Sequence, residues 1–166
     1  MYYHDSSGGG IRAWDYDHAT GAISNERAFA QDFDLAPGQR GGPDGFTVDS
    51  EGFVWAAVWG ASKVVRIDPD TAKAVATVTT PGAERSSSCS THRPLALEFS
   101  SQAAEAMFGG GAVFGGKDLR TLYITTCSQD FGEMGGDPLP QPAGALFAVE
   151  LPPEFPPGLP EPGFAG

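Results

Sequence analysis

Three stretches of the chain alternate apolar and polar residues and are broken at similar places by glycine, aspartate and proline. The first runs through Tyr2–Ser6, a break at Gly8–Gly10, Ile11–Asp17, a turn at Thr20–Gly21, then Ala22–Ser24 and Arg27–Ala30. The second runs through Phe46–Asp49, a turn at Ser50–Gly52, Phe53–Val58, Lys63–Pro69 and Ala74–Thr79. The third is Thr121–Thr126, a long polar loop, and Gly144–Val149. Short runs rich in β-branched and aromatic residues, bounded by turn residues, predict strands. An antiparallel unit recurring at roughly 40 residues predicts the blades of a β-propeller. A sandwich of short strands is the rival; the recurrence of the same order of elements favours the propeller.

One segment departs from this rhythm. Leu95–Met107 is rich in Ala, Leu, Glu, Gln and Met, which favour helix. It predicts a short helix within an insert at about 90–113, ended by Gly109–Gly111. Residues 151–166 hold six prolines and predict an extended tail of polyproline type, loose or laid over the surface. The expected organisation is an all-β domain over 1–150 followed by a Pro-rich tail over 151–166.

Composition narrows the partners. The 23 glycines and 14 prolines suit turns better than helices. A hydrophobic fraction of 40% argues against a disordered chain. The net charge of −11 argues against nucleic acid and anionic membrane as partners. It is compatible with cation binding, although simple solubility accounts for it too. Cys89 and Cys127 are too few for a disulfide framework or a zinc cluster. Read as reduced thiols, they suggest a cytoplasmic setting. No apolar stretch reaches the roughly 20 residues that span a bilayer. Met1–Asp5 lacks the basic start and apolar run of a signal peptide and reads as the middle of a strand.

The candidate chemistry centres on Gly42-Pro43-Asp44-Gly45, read as a tight turn with Asp44 at its apex before an apolar strand. Asp44 could bond its own backbone, as turn aspartates do. It could also be a carboxylate at the mouth of a propeller channel, able to bind a divalent cation. Asp15-Tyr16-Asp17, Asp49-Ser50-Glu51-Gly52 and Asp68-Pro69-Asp70 lack the spacing of a calcium-binding EF-hand and read as hairpin turns. His4, His18 and His92 form no metal-binding pair and read as surface or loop residues. Ser86-Ser87-Ser88 lacks the nucleophile elbow of a serine hydrolase. Neither cysteine has a nearby basic partner to activate it. Trp14, Trp55 and Trp59 read as core or channel-rim packing.

The run from Gly42 to Ala57 resembles the signature of the SMP-30/gluconolactonase/LRE family. Lys63–Pro69, Ser88-Cys89 and Phe114–Thr125 resemble family segments in the same order, as do Tyr2–Ser6, Trp14–Asn25, Ala143–Phe147 and Phe164–Gly166. The resemblance implies a six-bladed propeller, of which this chain matches about three four-stranded blades from the C-terminal half. It implies hydrolysis of a sugar lactone to an aldonic acid, with a divalent cation (Ca, Zn, Mn or Mg) held by a Glu, an Asn and the Asp of the Pro-Asp-Gly segment. Only that Asp maps here, onto Asp44, which would ligate the metal and could deprotonate water. The sole asparagine, Asn25, falls in a hairpin. A fragment of a metal-dependent lactonase, inactive alone, is therefore expected. The alternative is a non-catalytic binding module that self-associates through open blade edges.

Overall fold

The computed structural model describes residues 1–5, 10–33, 35, 41–80, 95–98, 109–127 and 144–160. They form three sheets and, among the described residues, no helix. Strands β1 (Tyr2–Asp5), β2 (Gly10–Tyr16) and β3 (Ile23–Ala30) make an antiparallel sheet in chain order. The second sheet orders β4 (Gly42–Val48), β5 (Val54–Trp59), β6 (Lys63–Ile67), β7 (Ala74–Thr79) and β8 (Leu95–Glu98). The third holds β9 (Gly109–Gly115), β10 (Thr121–Thr126) and β11 (Leu146–Glu150), with β10 in the middle.

The hairpins close through the aspartates that the sequence marks as turn residues. The Asp17 carboxylate accepts from the Ala19 N–H and the Thr20 hydroxyl at 2.8 and 2.7 Å. That of Asp68 accepts from the N–H groups of Asp70 and Thr71. These short side-chain bonds satisfy backbone donors that the turn takes out of the ladder.

The second sheet is the central layer, and strand alternation divides its side chains between two cores. Val54, Ala56 and Val58 of β5 join Ile11 and Ala30 of the first sheet. Trp55 and Ala57 point the other way, to Ala112, Phe114, Leu122 and Ile124 of the third. Burial on both faces explains why β5 is apolar throughout, whereas β1 alternates. The edge strands β1, β4 and β9 come together along one side of the stack.

Three expectations change. Leu95–Glu98 is not helical: it pairs parallel with β7, from Ala76 opposite Leu95 to Thr79 opposite Glu98. The remainder of the expected helix, 99–108, lies outside the described residues. Gly109–Gly111 does not end a helix but begins β9, so the third sheet starts inside the expected insert. Gly42–Gly45 is not a turn but the start of β4.

The tail is anchored from Leu151 to Gly158. Leu151 and Phe155 are buried in the core between the second and third sheets. Phe155 packs edge-on against Trp55, ring centroids 5.6 Å apart. The Arg120 guanidinium donates to the carbonyls of Pro152 and Phe155, both at 2.7 Å. The Gly158 N–H donates to the Leu119 carbonyl, and the Ser50 N–H donates to that of Pro157.

Candidate functional site

Asp44 owes its position to a β-bulge. Pro43 pairs with Val58 and Phe46 with Ala56, so β4 carries one more residue than β5 across this step. A bulge breaks strict alternation and re-aims a side chain. Gly45 makes the local geometry possible, because a Cβ there would lie 2.8 Å from the Gly111 Cα on β9. The close approach of Gly45 to the glycine-rich start of β9 draws the edge strands of two sheets together beside Asp44.

The Asp44 side chain is half-buried, and loss of water pushes its carboxyl above the usual aspartate range. A hydrogen bond from the Gly45 backbone and the charge of His4 oppose that rise without cancelling it. His4 reaches the neighbourhood from β1, where Tyr2 and His4 share the half-buried face and Tyr3 and Asp5 the exposed one. The rings of Tyr2 and His4 meet Phe46 at 6.5 and 5.7 Å, both edge-on. His4 Nδ1 is buried and has no hydrogen-bond partner among the described residues. His4 is thus not the surface or loop residue expected from its lack of a histidine partner. Its alternation with Tyr3 was the available signal.

The other candidates serve the fold. Asp49 is fully buried: its carboxylate accepts from the N–H groups of Glu51 and Phe53, Trp55 Nε1 and Arg66 Nε, at 2.8 to 3.0 Å. These four bonds fix the loop to β5 and β6, so it is a structural clasp. The Asn25 side chain donates to the Asp15 carboxylate at 2.8 Å across the β2–β3 hairpin. Trp55 is core, whereas Trp14 and Trp59 are half-buried. His18 lies on the exposed turn with its ring 5.0 Å from that of Tyr16. Cys127 is a free thiol. Cys89, His92 and Ser86–Ser88 lie outside the described residues.

A cation finds few donors here. Around Asp44 the structure offers one carboxylate and one imidazole, and no group of three or more His, Cys, Asp or Glu exists among the described residues. Hard divalent ions take about six or more oxygen ligands. The described residues therefore do not fit a cation by themselves. Among them, too, no helix is long and apolar enough to cross a membrane.

Comparison with known proteins places this arrangement. The family profile described as SMP-30/Gluconolactonase/LRE-like region matches residues 1–93. YvrE of Bacillus subtilis, which carries the name of a sugar lactone lactonase, is 33% identical over 151 residues, 91% of this chain and 42% of its own. Regucalcin of Sus scrofa is 34% identical over 153 residues, 90% of this chain and 40% of its own. Among solved structures, a luciferin-regenerating enzyme superposes with a TM-score of 0.59 at 27% identity, covering 82% of this chain and 36% of that one. A regucalcin from Agrobacterium tumefaciens, titled a calcium-binding protein, gives 0.60 at 22% identity over 89% and 40%; at that identity it bears on the fold alone. The three sheets are blades of a partial β-propeller. The chain spans about two fifths of the length of the curated relatives it matches.

Proposed function

The chain belongs to the SMP-30/gluconolactonase/LRE-like family, and from that premise we propose that it forms part of a sugar lactonase in which Asp44 is the reacting carboxylate. The reaction adds water to the carbonyl carbon of a cyclic sugar ester. The ring C–O bond breaks, and the product is an open aldonic acid. The observation that supports the role of Asp44 is its bulged, half-buried position where β1, β4 and β9 converge. Desolvation raises the basicity of its carboxylate, which suits a group that takes a proton from the attacking water. His4 Nδ1, which has no hydrogen-bond partner among the described residues, would be available to a hydroxyl of the bound sugar.

Metal dependence is part of the proposal, with Asp44 as this chain's contribution to the cation. One carboxylate and one imidazole leave a divalent ion short of ligands, so the isolated chain is expected to be inactive. In a pH-stat assay with gluconolactone and Ca²⁺, Zn²⁺ or Mn²⁺, the rate should equal that of the metal alone; a clearly faster rate overturns the inactivity. A chimera tests the lactonase reading itself. Residues 1–160 replace the matching two fifths of YvrE, and hydrolysis should appear and be lost with Asp44→Ala. Turnover that survives Asp44→Ala in a folded chimera removes Asp44 from the reaction.

A further inference from the structure

The fold leaves a polar atom near Asp44 unsatisfied. His4 Nδ1 is buried and meets no hydrogen-bond partner among the described residues. Buried side-chain nitrogens in that state are uncommon, and each calls for an explanation. The ring that carries it is well held. On β1 His4 stands opposite Ile11 of β2, and its ring meets that of Phe46 edge-on, centroids 5.7 Å apart. Phe46 is braced in turn by Tyr2, whose ring lies 4.7 Å from that of Phe29. Phe46 follows Asp44 by two residues on β4, so one strand carries both the carboxylate and the ring that positions His4. The charge of His4 acts on Asp44, which puts the two side chains within electrostatic reach.

We infer that His4 Nδ1 accepts a hydrogen bond from a ring hydroxyl of the lactone, and that His4 thereby selects sugar lactones over lactones without hydroxyls. The inference rests on the lactonase reading and adds to it the residue that sets the substrate class. A neutral imidazole has one donor nitrogen and one acceptor nitrogen. A buried N–H without an acceptor is rarer in proteins than an acceptor without a donor, so Nδ1 takes the acceptor role and Nε2 the proton. A sugar hydroxyl supplies the missing donor, and a bare alkyl ring has none. Nδ1 is enclosed while His4 as a whole is half-buried, so the accessible surface of the residue lies at its other atoms. A half-turn about Cβ–Cγ exchanges Nδ1 with Cδ2 and keeps the ring plane, and with it the contact with Phe46. An atom with no bond to lose is free to make that turn when a hydroxyl is offered. A site whose polar group is paired by its substrate discriminates against the analogue that leaves the group unpaired.

The YvrE chimera is assayed with gluconolactone and with δ-valerolactone, the same ester ring without hydroxyls. His4→Phe keeps a ring against Phe46 and removes the acceptor. It should lower kcat/KM for gluconolactone about tenfold, the equivalent of one hydrogen bond, and change that for δ-valerolactone by less than about twofold. His4→Asn, whose Oδ1 stands near the place of Nδ1, should keep most of the rate that His4→Phe loses. Equal losses on both lactones, or no loss on gluconolactone, overturn the inference while leaving the lactonase reading intact. A chimera inactive on both lactones, or one whose turnover survives Asp44→Ala, fails the lactonase reading itself. The state of Nδ1 is read separately from turnover, on the full chain. In long-range proton–nitrogen correlation spectra the neutral imidazole of His4 should carry its proton on Nε2 and leave Nδ1 bare. A proton on Nδ1 overturns the inference whether or not the chimera is active.

Discussion

Asp49 and Asp44 are five residues and one strand end apart, and their surroundings are opposite in kind. Asp49 has no exposed surface and meets four donors, among them the guanidinium of Arg66 at 2.8 Å. Arg66 in turn reaches Glu51 at 2.9 Å and lies over the Phe53 ring, 3.6 Å from its centroid. Removing one partner of a buried pair strands the other charge. Asp49→Ala should therefore cost about 3–5 kcal/mol, measured by urea denaturation; a loss no greater than that of an exposed aspartate would show that the clasp is dispensable. Asp44 lacks such compensation. Because its folded carboxyl is raised, its contribution to stability is held at low pH and lost as pH rises through the folded value. Asp44→Asn should melt above the parent at about pH 7, with EDTA present, and the difference should vanish below the ordinary aspartate value of about 3.9. An asparagine variant that melts below the parent at neutral pH would contradict the desolvation of Asp44.

The strap formed by the tail shows how an element without regular hydrogen bonding becomes structural. Proline removes backbone donors, so the strap cannot add to a sheet by itself. It is held by what remains: its carbonyls accept from Arg120 and Ser50, and the Gly158 N–H donates to Leu119. Gly158 is required where it crosses β9, because a Cβ there would overlap the Phe114 side chain. Phe155, 5% exposed, stands edge-on to Trp55 and closes the core between two sheets. Phe155→Ala should cost about 3–5 kcal/mol, as truncation of a buried aromatic does. Thermal unfolding checks it, and a shift within the range of surface substitutions would mean that the strap only rests on the fold.

Across the molecule, stability is layered. The central sheet has side chains in both cores, whereas the first and third sheets each have a face turned to water. Opening β5 or β6 would disrupt both cores at once, while β3 is exposed from Ile23 to Ala28. Native-state hydrogen exchange should therefore be slowest in β5 and β6, near the global unfolding limit, and fastest among the strands in β3. Equal protection of β3 and β5 would show that the sheets unfold as a single unit.

The sequence alone determined what local chemistry decides: strands where β-branched and aromatic residues alternate, hairpins where aspartate bonds its own backbone, and Asp44 as the residue to examine. It also carried the family, because the run from Gly42 to Ala57 keeps its composition and order. Tertiary structure decided the rest. Leu95–Glu98 is built of helix formers yet pairs with β7, because the open edge of β7 offers hydrogen bonds that local preference does not count. Pro43–Gly45 reads as a turn, and only pairing with β5 on one side and close contact with β9 on the other makes it a bulge. His4 sits forty residues from Asp44 in the chain, and no local pattern couples them. Their meeting depends on the packing of β1 against β4, which is a property of the assembled sheets.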